Sequence, residues 1–350
     1  MIQTTQRQQQ ILLIIAQWGA IQSSDIHTRL EATGVQVSAV TIKRELSEMV
    51  KIGVLTISGA GRSTSYNLTS EGRLFLIVDP HMYCLTEPDR RYGLKSYNFD
   101  LFSGIPDDIF SQAELQTLEQ ASDVYSKNVQ NVPPTIANKE LERLIIELSW
   151  KSSRIEGNTY TLLDTEKLIL DHTEAEGHDN KEAQMILNHK DAFNFVRENA
   201  HEFRSLTKVN LEELHRILVK DMGVGYGLRS KPVGVSQSAY RPLDTVYQIQ
   251  EAVETLASKV SKLQNPFAKA LIALLGISYI QPFEDGNKRT SRLMANAILL
   301  AHQLAPLSYR SVDEDEYKEA MLVFYELNSL VPFKKIFVTQ YDFAARNYAI

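Results

Sequence analysis

Twelve residues in the last third of the chain carry a dense set of groups that could bind phosphate. The stretch Gln281–Arg292 contains two carboxylates, a glycine, an asparagine and three cations, and apolar runs precede and follow it. Pro282 and Gly286 interrupt the apolar periodicity, so the pattern predicts a helix, a tight loop and a second helix. The first N–H groups of a helix are free to bind an anion. The stretch is therefore predicted to be a nucleotide-phosphate site.

Three side chains of this stretch have the chemistry that such a site needs. Arg289 and Arg292 are three residues apart and would share one face of the second helix. Both guanidinium groups could then bind phosphate oxygens through two hydrogen bonds each. Asp285 is placed to hold a Mg²⁺ ion that also contacts phosphates. The alternative, a solvated charged loop between two core helices, explains the charges but not their order.

The order of the residues resembles the signature loop of the Fic family, His-Pro-Phe-x-Asp/Glu-Gly-Asn-Gly/Lys-Arg-x-x-Arg. The matching positions are Pro282, Phe283, Asp285, Gly286, Asn287, Lys288, Arg289 and Arg292. The resemblance implies a mainly α-helical Fic fold with a short β-hairpin flap. It also implies transfer of AMP from ATP to a Ser, Thr or Tyr hydroxyl of a target protein.

The resemblance assigns roles to the matching residues. Mg²⁺ on Asp285 would bridge the α- and β-phosphates of ATP, and Asn287 with the helix N-terminus would hold the α-phosphate. Arg289 and Arg292 would take the charge that develops on the leaving pyrophosphate. Gly286 and Lys288 complete the implied nucleotide-binding set.

One position departs from the family pattern, because Gln281 stands where the family has its catalytic His. Glutamine has no titrating group and cannot act as a general base. Loss of such a base typically lowers the rate about 10²- to 10⁴-fold. Three interpretations stay open: a weak or inactive adenylyltransferase, a non-catalytic ATP-sensing and DNA-binding transcriptional regulator, or a variant of an active enzyme in which Gln replaces His.

A helix predicted over residues 138–158 ends in a second recognisable pattern. Ser152, Glu156 and Gly157 match the Fic inhibitory motif Ser/Thr-x-x-x-Glu-Gly/Asn. The resemblance implies that Glu156 pairs with Arg292 and so occupies the guanidinium that should hold the γ-phosphate. The alternative is a surface helix end with a solvated glutamate.

Residues 229–243 are predicted to form a loop and short hairpin, since β-type residues follow a glycine-rich segment. Their place before the signature resembles the Fic flap, in which Val233, Gly234 and Val235 would bind the target segment by strand addition. Arg229 resembles the arginine that precedes this flap in the family, or it packs against an acidic neighbour.

Residues 1–80 predict three short helices followed by a β-hairpin, which resembles a winged helix-turn-helix domain. The third helix, with Thr41, Lys43 and Arg44, would enter the DNA major groove, and Arg62 at the wing tip would contact a phosphate. This segment contains seven Lys and Arg residues and six Asp and Glu residues. A net charge of +1 is low for phosphate binding, so a protein-interaction or dimerisation role is the open alternative.

The length of 350 residues suggests two or more domains. We expect a winged helix over 1–80, a linker over 81–110 and a Fic domain over 111–350. The 43% hydrophobic and 23% charged composition is typical of a soluble globular protein. The single cysteine, Cys84, excludes an internal disulfide framework and a cysteine-based zinc cluster.

The remaining features concern location and partners. No apolar run reaches the roughly 18 residues of a membrane span, and the N-terminus lacks a signal-peptide core, so a cytoplasmic protein is expected. The expected partners are ATP, a target protein and, for the regulator interpretation, DNA, with no membrane and with a homodimer left open. His172, His189 and His215 fall in helical patterns without metal-site spacing and are expected to be core or surface residues.

Overall fold

The computed structural model describes residues 4–349, which fold mainly as α-helices with one pair of β-strands. The mainly helical fold class is thereby confirmed. The chain divides into two compact units. The first unit contains the residues up to Ile109, Gly234–Arg241 and Glu319–Lys334, and the second contains Phe110–Val233, Pro242–Lys318 and the residues from Lys335 onward.

The N-terminal part of the first unit has five helices and a hairpin. They are α1 (Gln6–Trp18), α2 (Ser23–Ala32), α3 (Ala39–Lys51), β1 (Leu55–Ser58), β2 (Ser65–Leu68), α4 (Ser70–Leu74) and α5 (Pro80–Cys84). Thr5 and Ser38 cap α1 and α3, because each side-chain oxygen accepts a bond from an otherwise unpaired first-turn N–H. The strands pair antiparallel, with Leu55 opposite Leu68 and Ser58 opposite Ser65. The predicted three helices and hairpin are present in residues 4–80, while the first three residues of the predicted domain lie outside the described range.

An apolar core holds these elements together. Helical spacing predicts that Val40, Ile42, Leu46 and Met49 of the third helix face this core, and the prediction is wrong for Val40, whose side chain is 78% exposed. The fully buried members of the core include Ile11, Leu12, Ile26, Leu30, Ile42, Leu46 and Met49. On α3 this arrangement leaves the opposite face largely polar and exposed. The winged-helix likeness and the domain limits at residues 80 and 110 stay predictions.

The segment after α5 packs within the first unit, although the sequence predicted a linker there. The backbone N–H of Leu94 donates to the Glu326 carbonyl at 2.6 Å, and that of Arg241 donates to the Lys95 carbonyl at 2.9 Å. Gly93, at φ +128°, permits this close approach, because a Cβ there would come within 2.4 Å of the Glu326 carbonyl oxygen.

The hairpin predicted in the flap, residues 229–243, is absent from the described structure. Its one bridge is an isolated parallel pairing of Arg241 with Ser96. Two features prevent a ladder within the flap. Pro232 and Pro242 have no N–H to donate, and the N–H of Arg241 is already bonded to Lys95.

The remaining helices lie in the second unit, except that residues 319–334, which include parts of the last two helices, belong to the first unit. They are α6 (Gln112–Asn131), α7 (Pro134–Ile155), α8 (Leu162–Asp171), α9 (Asn180–Glu198), α10 (Lys208–Leu218), α11 (Val246–Lys262), α12 (Pro266–Ile280), α13 (Asn287–Ala301), α14 (Glu314–Leu327) and α15 (Val331–Asn347). Helix α7 begins four residues earlier than the sequence predicted, because Pro134 suits the first helical position.

Helix α12 forms the centre of the second unit. Its residues from Phe267 to Ile280 are almost all buried, as expected for a helix that is apolar on every side. Gly276 lets α11 approach, since a Cβ at that position would lie 2.4 Å from Leu256 Cδ1. A helix buried in this way gives the loop that follows it a rigid support.

Candidate nucleotide site

The loop between α12 and α13 is a tight bend set by two left-handed residues. Gln281 ends α12 at φ 52°, and Gly286 precedes α13 at φ 79°. At Gly286 a Cβ would come within 3.1 Å of Val219 Cγ1, so both the conformation and the space favour glycine there. The first N–H groups of α13 have no partner within the helix. Because of the bend, they point toward the loop. This confirms the helix, loop and helix predicted for the stretch.

Asn287 fixes the shape of the loop. Its side-chain oxygen accepts a bond from the Phe283 N–H at 2.8 Å, and its side-chain nitrogen donates to the Phe283 carbonyl, also at 2.8 Å. Phe283 is fully buried. Both polar groups of the Asn287 side chain thus help to hold the loop, and its backbone N–H lies in the first turn of α13.

Gln281 makes two hydrogen bonds, one through its side chain and one through its backbone carbonyl. Its side-chain nitrogen donates to the Ser278 carbonyl at 2.7 Å, and its own carbonyl accepts a bond from Arg229 Nε at 2.7 Å. Arg229 is buried and also donates to the carbonyls of Lys231 and Leu243. Arg229 therefore joins both ends of the predicted flap to the start of the loop.

Arg292 is fully buried and bonded to the end of α7. Its Nη1 donates to Glu156 Oε1 at 2.9 Å, its Nε donates to Ser152 Oγ at 2.8 Å, and its Nη2 donates to the Ser152 carbonyl at 2.8 Å. Gly157, at φ 96°, ends the helix directly after Glu156. The structure thus brings together two patterns that lie about 140 residues apart, and the solvated glutamate of the alternative interpretation is not what is observed.

The charge of Glu156 is maintained by its neighbours. Burial raises the pKa of this carboxyl group, but the charges of Arg292 and Lys288 outweigh burial, so the pKa lies below its ordinary value. The Lys288 ammonium is 3.4 Å from Glu156 Oε2. Glu156 is therefore an anion at neutral pH, bound to two of the cations that the sequence assigned to phosphate.

Asp285 and Arg289 form the other ion pair of the loop. Arg289 Nη2 is 3.1 Å from Asp285 Oδ2, and the Arg289 side chain is almost fully buried whereas the Asp285 side chain is 62% exposed. The described residues contain no cluster of three or more His, Cys, Asp or Glu side chains that could hold a metal ion. A single accessible carboxylate still fits Mg²⁺, which binds through one or two protein carboxylates together with substrate phosphates and water.

His215 was not predicted to belong to this site. Its ring stacks on Phe283 with centroids 3.7 Å apart and planes 7° apart, and its Nε2 lies 2.9 Å from the Asp285 carbonyl oxygen. A carbonyl only accepts, so Nε2 carries the proton and donates. Burial lowers the pKa of His215 to about 4, which keeps the ring neutral. The helical pattern indicated a core or surface residue, but no sequence signal linked it to a loop 70 residues away.

The other predicted site residues lie on loops or on the surface. In the flap, Val233 is partly buried, Gly234 is exposed and Val235 is buried. On α3, Lys43 and Arg44 are exposed and Thr41 is partly buried, and Arg62 is exposed between β1 and β2.

Within the described residues no helix is long and apolar enough to cross a membrane.

Residues 205–299 match the Fic/DOC family. They form a Fic/DOC domain. The matched range contains α10, the flap segment and the whole loop from Gln281 to Arg292. The helix that carries Ser152 and Glu156 lies before the matched range, so its link to the Fic/DOC domain rests on the contacts described above.

Relatives of known name support this family. A protein adenylyltransferase Fic from Nematostella vectensis is 30% identical over 177 residues, which cover 49% of this chain and 41% of the relative. A protein of the same name from Aedes aegypti is 26% identical over 218 residues, which cover 61% of this chain and 43% of the relative. The chain therefore spans about two fifths of the length of these relatives.

Solved structures agree on the fold. Residues 134–508 of Fic-1 from C. elegans superpose with a TM-score of 0.57 at 19% identity, covering 67% of this chain and 71% of that chain. A Fic family protein from Desulfovibrio desulfuricans G20 superposes with a TM-score of 0.57 at 21% identity, covering 69% and 75%. At this identity the similarity shows the fold of the Fic/DOC domain and not its reaction.

Proposed function

We propose that this chain is a Fic-type protein adenylyltransferase that is restrained by Glu156 and weakened by Gln281. The observation that carries the proposal is the cluster at the start of α13. There a helix N-terminus, a fixed loop and the guanidinium groups of Arg289 and Arg292 adjoin one accessible carboxylate, Asp285. These are the groups that a nucleotide triphosphate needs.

In the proposed reaction a hydroxyl oxygen of the target protein bonds to the α-phosphorus of ATP. The bond from that phosphorus to the bridging oxygen breaks, and pyrophosphate leaves with the electron pair. Arg289 and the first N–H groups of α13 hold the phosphates in line for this exchange. Positioning and charge stabilisation of this kind provide much of the rate enhancement in phosphoryl chemistry.

Asp285 is the residue of this chain that would hold Mg²⁺. When bound, the ion would neutralise phosphate charge and favour departure of pyrophosphate. Because Asp285 is paired with Arg289 on one oxygen, its exposed side remains accessible to a hydrated cation.

The proton of the target hydroxyl has no protein acceptor at position 281. The Gln281 amide cannot take it up, and its nitrogen is already bonded to Ser278. The proton must pass to solvent, so we expect a rate about 10²- to 10⁴-fold below that of a form with a histidine base.

Glu156 accounts for the restraint. Since its carboxylate occupies Nη1 of Arg292, a terminal phosphate can use this guanidinium only after Glu156 has moved. Ser152 accepts bonds from the other two nitrogens of Arg292. In this proposal ATP binds weakly or with its phosphates displaced while α7 keeps its present position.

The flap would present the target hydroxyl. Gly234 is exposed and has no atom within 4 Å of a Cβ position, so a target strand could approach the backbone between Val233 and Val235 closely. Arg229 would keep the flap base in register with the loop through its bonds to Gln281 and Leu243.

The test is incorporation of label from α-labelled ATP in the presence of Mg²⁺. The chain would be compared with Gln281→His, Glu156→Gly and the double variant. We expect little or no label with the chain itself and a strong signal with the double variant. Absence of label from the double variant, combined with tight ATP binding, would contradict adenylyl transfer and leave a nucleotide sensor. Absence of ATP binding to the Glu156→Gly variant would contradict the nucleotide site itself.

A second function, DNA binding by the N-terminal residues, is favoured by one observation. Lys43 and Arg44 on α3 and Arg62 beside the hairpin are exposed, and Val40 is 78% exposed on the same helix. An exposed apolar side chain near the start of a recognition helix can contact a thymine methyl group. Filter binding of duplex DNA at low and high salt tests this function, and affinity without a salt dependence would contradict it.

A further inference from the structure

A pocket of about 400 Å³ lies in the first unit, apart from the nucleotide loop. This volume falls within the range of about 300–1,000 Å³ that is typical of small-molecule sites. Its apolar wall includes Leu13 of α1, Ile77, Met82 of α5 and Tyr92. Ile77 is 56% exposed and Met82 is 62% exposed, so the pocket presents apolar side chains that the protein core does not cover.

The charged residues in the pocket lining are two cations, Arg90 and Arg91, and one anion, Asp79. Asp79 accepts the Met82 N–H at 3.1 Å as the cap of α5 and keeps its negative charge. The lining therefore has a formal charge of +1, two positive charges less one negative.

Arg91, one of the lining residues, has an unused hydrogen-bond donor. Its side chain is 2% exposed, and its Nε is buried with no hydrogen-bond partner among the described residues. Its other nitrogens are engaged, because Nη1 donates to Cys84 Sγ at 3.6 Å and Nη2 lies 3.4 Å from Glu326 Oε1. A buried donor left unsatisfied is costly, and a ligand oxygen would remove that cost.

We propose that this pocket binds a small aromatic carboxylate, with its ring against Leu13, Ile77, Met82 and Tyr92 and its carboxylate against Arg90 and Arg91. We infer that the ligand has an aromatic ring because the wall is apolar and because Tyr92 has a flat face. The carboxylate follows from two guanidinium groups with one free buried donor, since carboxylate oxygens match guanidinium geometry. Binding at this site does not depend on the proposed adenylyl transfer.

The position of Arg91 links the pocket to the flap. Its Nη2 also donates to the carbonyl of Gln237, and Ser238 Oγ donates to Glu326 Oε1, the carboxylate oxygen that Arg91 contacts, at 2.6 Å. Tyr83, which lines the pocket, donates to the other oxygen of Glu326 at 2.7 Å. A carboxylate ligand on Arg91 would compete with Glu326 and Gln237 for the guanidinium, and would thereby act on the segment Gly234–Arg241.

The binding test uses isothermal titration of the full chain with naphthalene-2-carboxylate and with its neutral counterpart 2-naphthamide. We expect saturable binding of the carboxylate at one site and binding of the amide that is about tenfold weaker or more. The Arg90→Glu variant should lose a similar factor for the carboxylate. Arg62→Glu is the matched control, because it makes the same charge change at an exposed position of the same unit, outside the pocket lining, and it should bind as the parent chain does.

Two results would overturn the site: no saturable binding of the carboxylate, or equal binding of the carboxylate by Arg90→Glu and Arg62→Glu. Hydrogen exchange of the full chain tests the link to the flap. Saturating carboxylate should change exchange in residues 234–241, and the amide at the same concentration should not. Binding without such a change would overturn the link through Arg91.

Discussion

The chain has two sets of cations that the sequence assigned to ligands, one to a nucleotide and one to DNA, and the two sets differ in burial. Arg289 and Arg292, at the start of α13, are buried and paired with Asp285 and Glu156. Arg44 on α3 and Arg62 beside the hairpin are exposed, as is Lys43. One set is held in place before any ligand arrives, and the other is left to solvent.

The difference shows how much free energy is needed to hold a cation in place before a ligand binds. A buried guanidinium gives up its hydration, and only a paired carboxylate makes that tolerable. In the proposed nucleotide site, the pairing would orient the group for a phosphate but would also compete with the phosphate. An exposed arginine keeps its hydration and its conformational freedom, so it contributes little to folding and binds a phosphate only through screened attraction. Substitutions in the two sets should therefore differ in kind.

The largest expected effect is on folding. We expect Arg292→Ala to lower the free energy of unfolding by about 3–5 kcal/mol, because it leaves Glu156 largely buried without its main partner. Arg62→Ala should change it by less than about 0.5 kcal/mol. Urea unfolding of Arg292→Ala would be followed by the fluorescence of Trp150 in a Trp18→Phe background, and that of Arg62→Ala by the fluorescence of Trp18 in a Trp150→Phe background. These are the two tryptophans of the chain, one in each unit, so each signal reports on the unit that carries the substitution. Equal effects of the two alanine variants would contradict the contrast.

The next largest effect should be a pH dependence of the free energy of unfolding. It arises from His215, which packs against the loop beside the paired cations. Burial lowers its pKa to about 4 from an unfolded value of about 6.5. The unfolded chain therefore takes up a proton first, so the stabilising contribution is complete above pH 6.5 and falls as the pH drops toward 4. The full change is about 3 kcal/mol. Unfolding measured across this range should show a weaker pH dependence for His215→Phe than for the parent chain, and the exposed control His172→Gln should behave as the parent does.

A smaller acid-side effect should come from Glu156. Because its pKa is lowered in the folded state, its ion pairs stabilise the fold above its ordinary pKa of about 4.3, and this contribution is lost as the pH falls further. The parent chain should be more stable than Glu156→Gln at neutral pH, and the two should converge in acid. A difference that is constant with pH would mean that hydrogen bonding, and not charge, makes the contact.

The smallest effect should appear in the exposed set, and only with DNA present. If α3 and the hairpin bind DNA, Arg62→Ala should reduce the slope of log affinity against log salt by about 1 and leave stability unchanged. Arg44→Ala should weaken binding and, where it contacts a base, also change the preferred sequence. Unchanged binding by both variants would remove these residues from any DNA contact.

Short-range signals in the sequence predicted the helices well. Ser38 and Ser111 directly precede helices, and each accepts a bond from an N–H three residues later. Such a cap depends on neighbouring residues alone, so the local sequence contains it. The contact of Glu156 with Arg292 came from the family resemblance, since no local rule links residues so far apart.

What the sequence did not predict depends on packing between distant segments. His215 lies in an ordinary helical pattern, and its place against Phe283 follows from how α10 meets the loop. The flap was expected to pair with itself, yet the N–H of Arg241 bonds to Lys95. Composition marked residues 81–110 as a linker, although Leu94 and Lys95 use their backbone groups in tertiary bonds.

The bend at residue 281 has a consequence for how this protein could change. Gln281 has a left-handed conformation, which histidine tolerates better than most residues do. Arg229 donates its hydrogen bond to the backbone carbonyl of this residue and not to its side chain. The glutamine and histidine codons differ in their third base alone. A single-nucleotide replacement could therefore place an imidazole at this position without reshaping the scaffold. In the proposed enzyme the missing base would then be one mutational step away, while the restraint by Glu156 would remain.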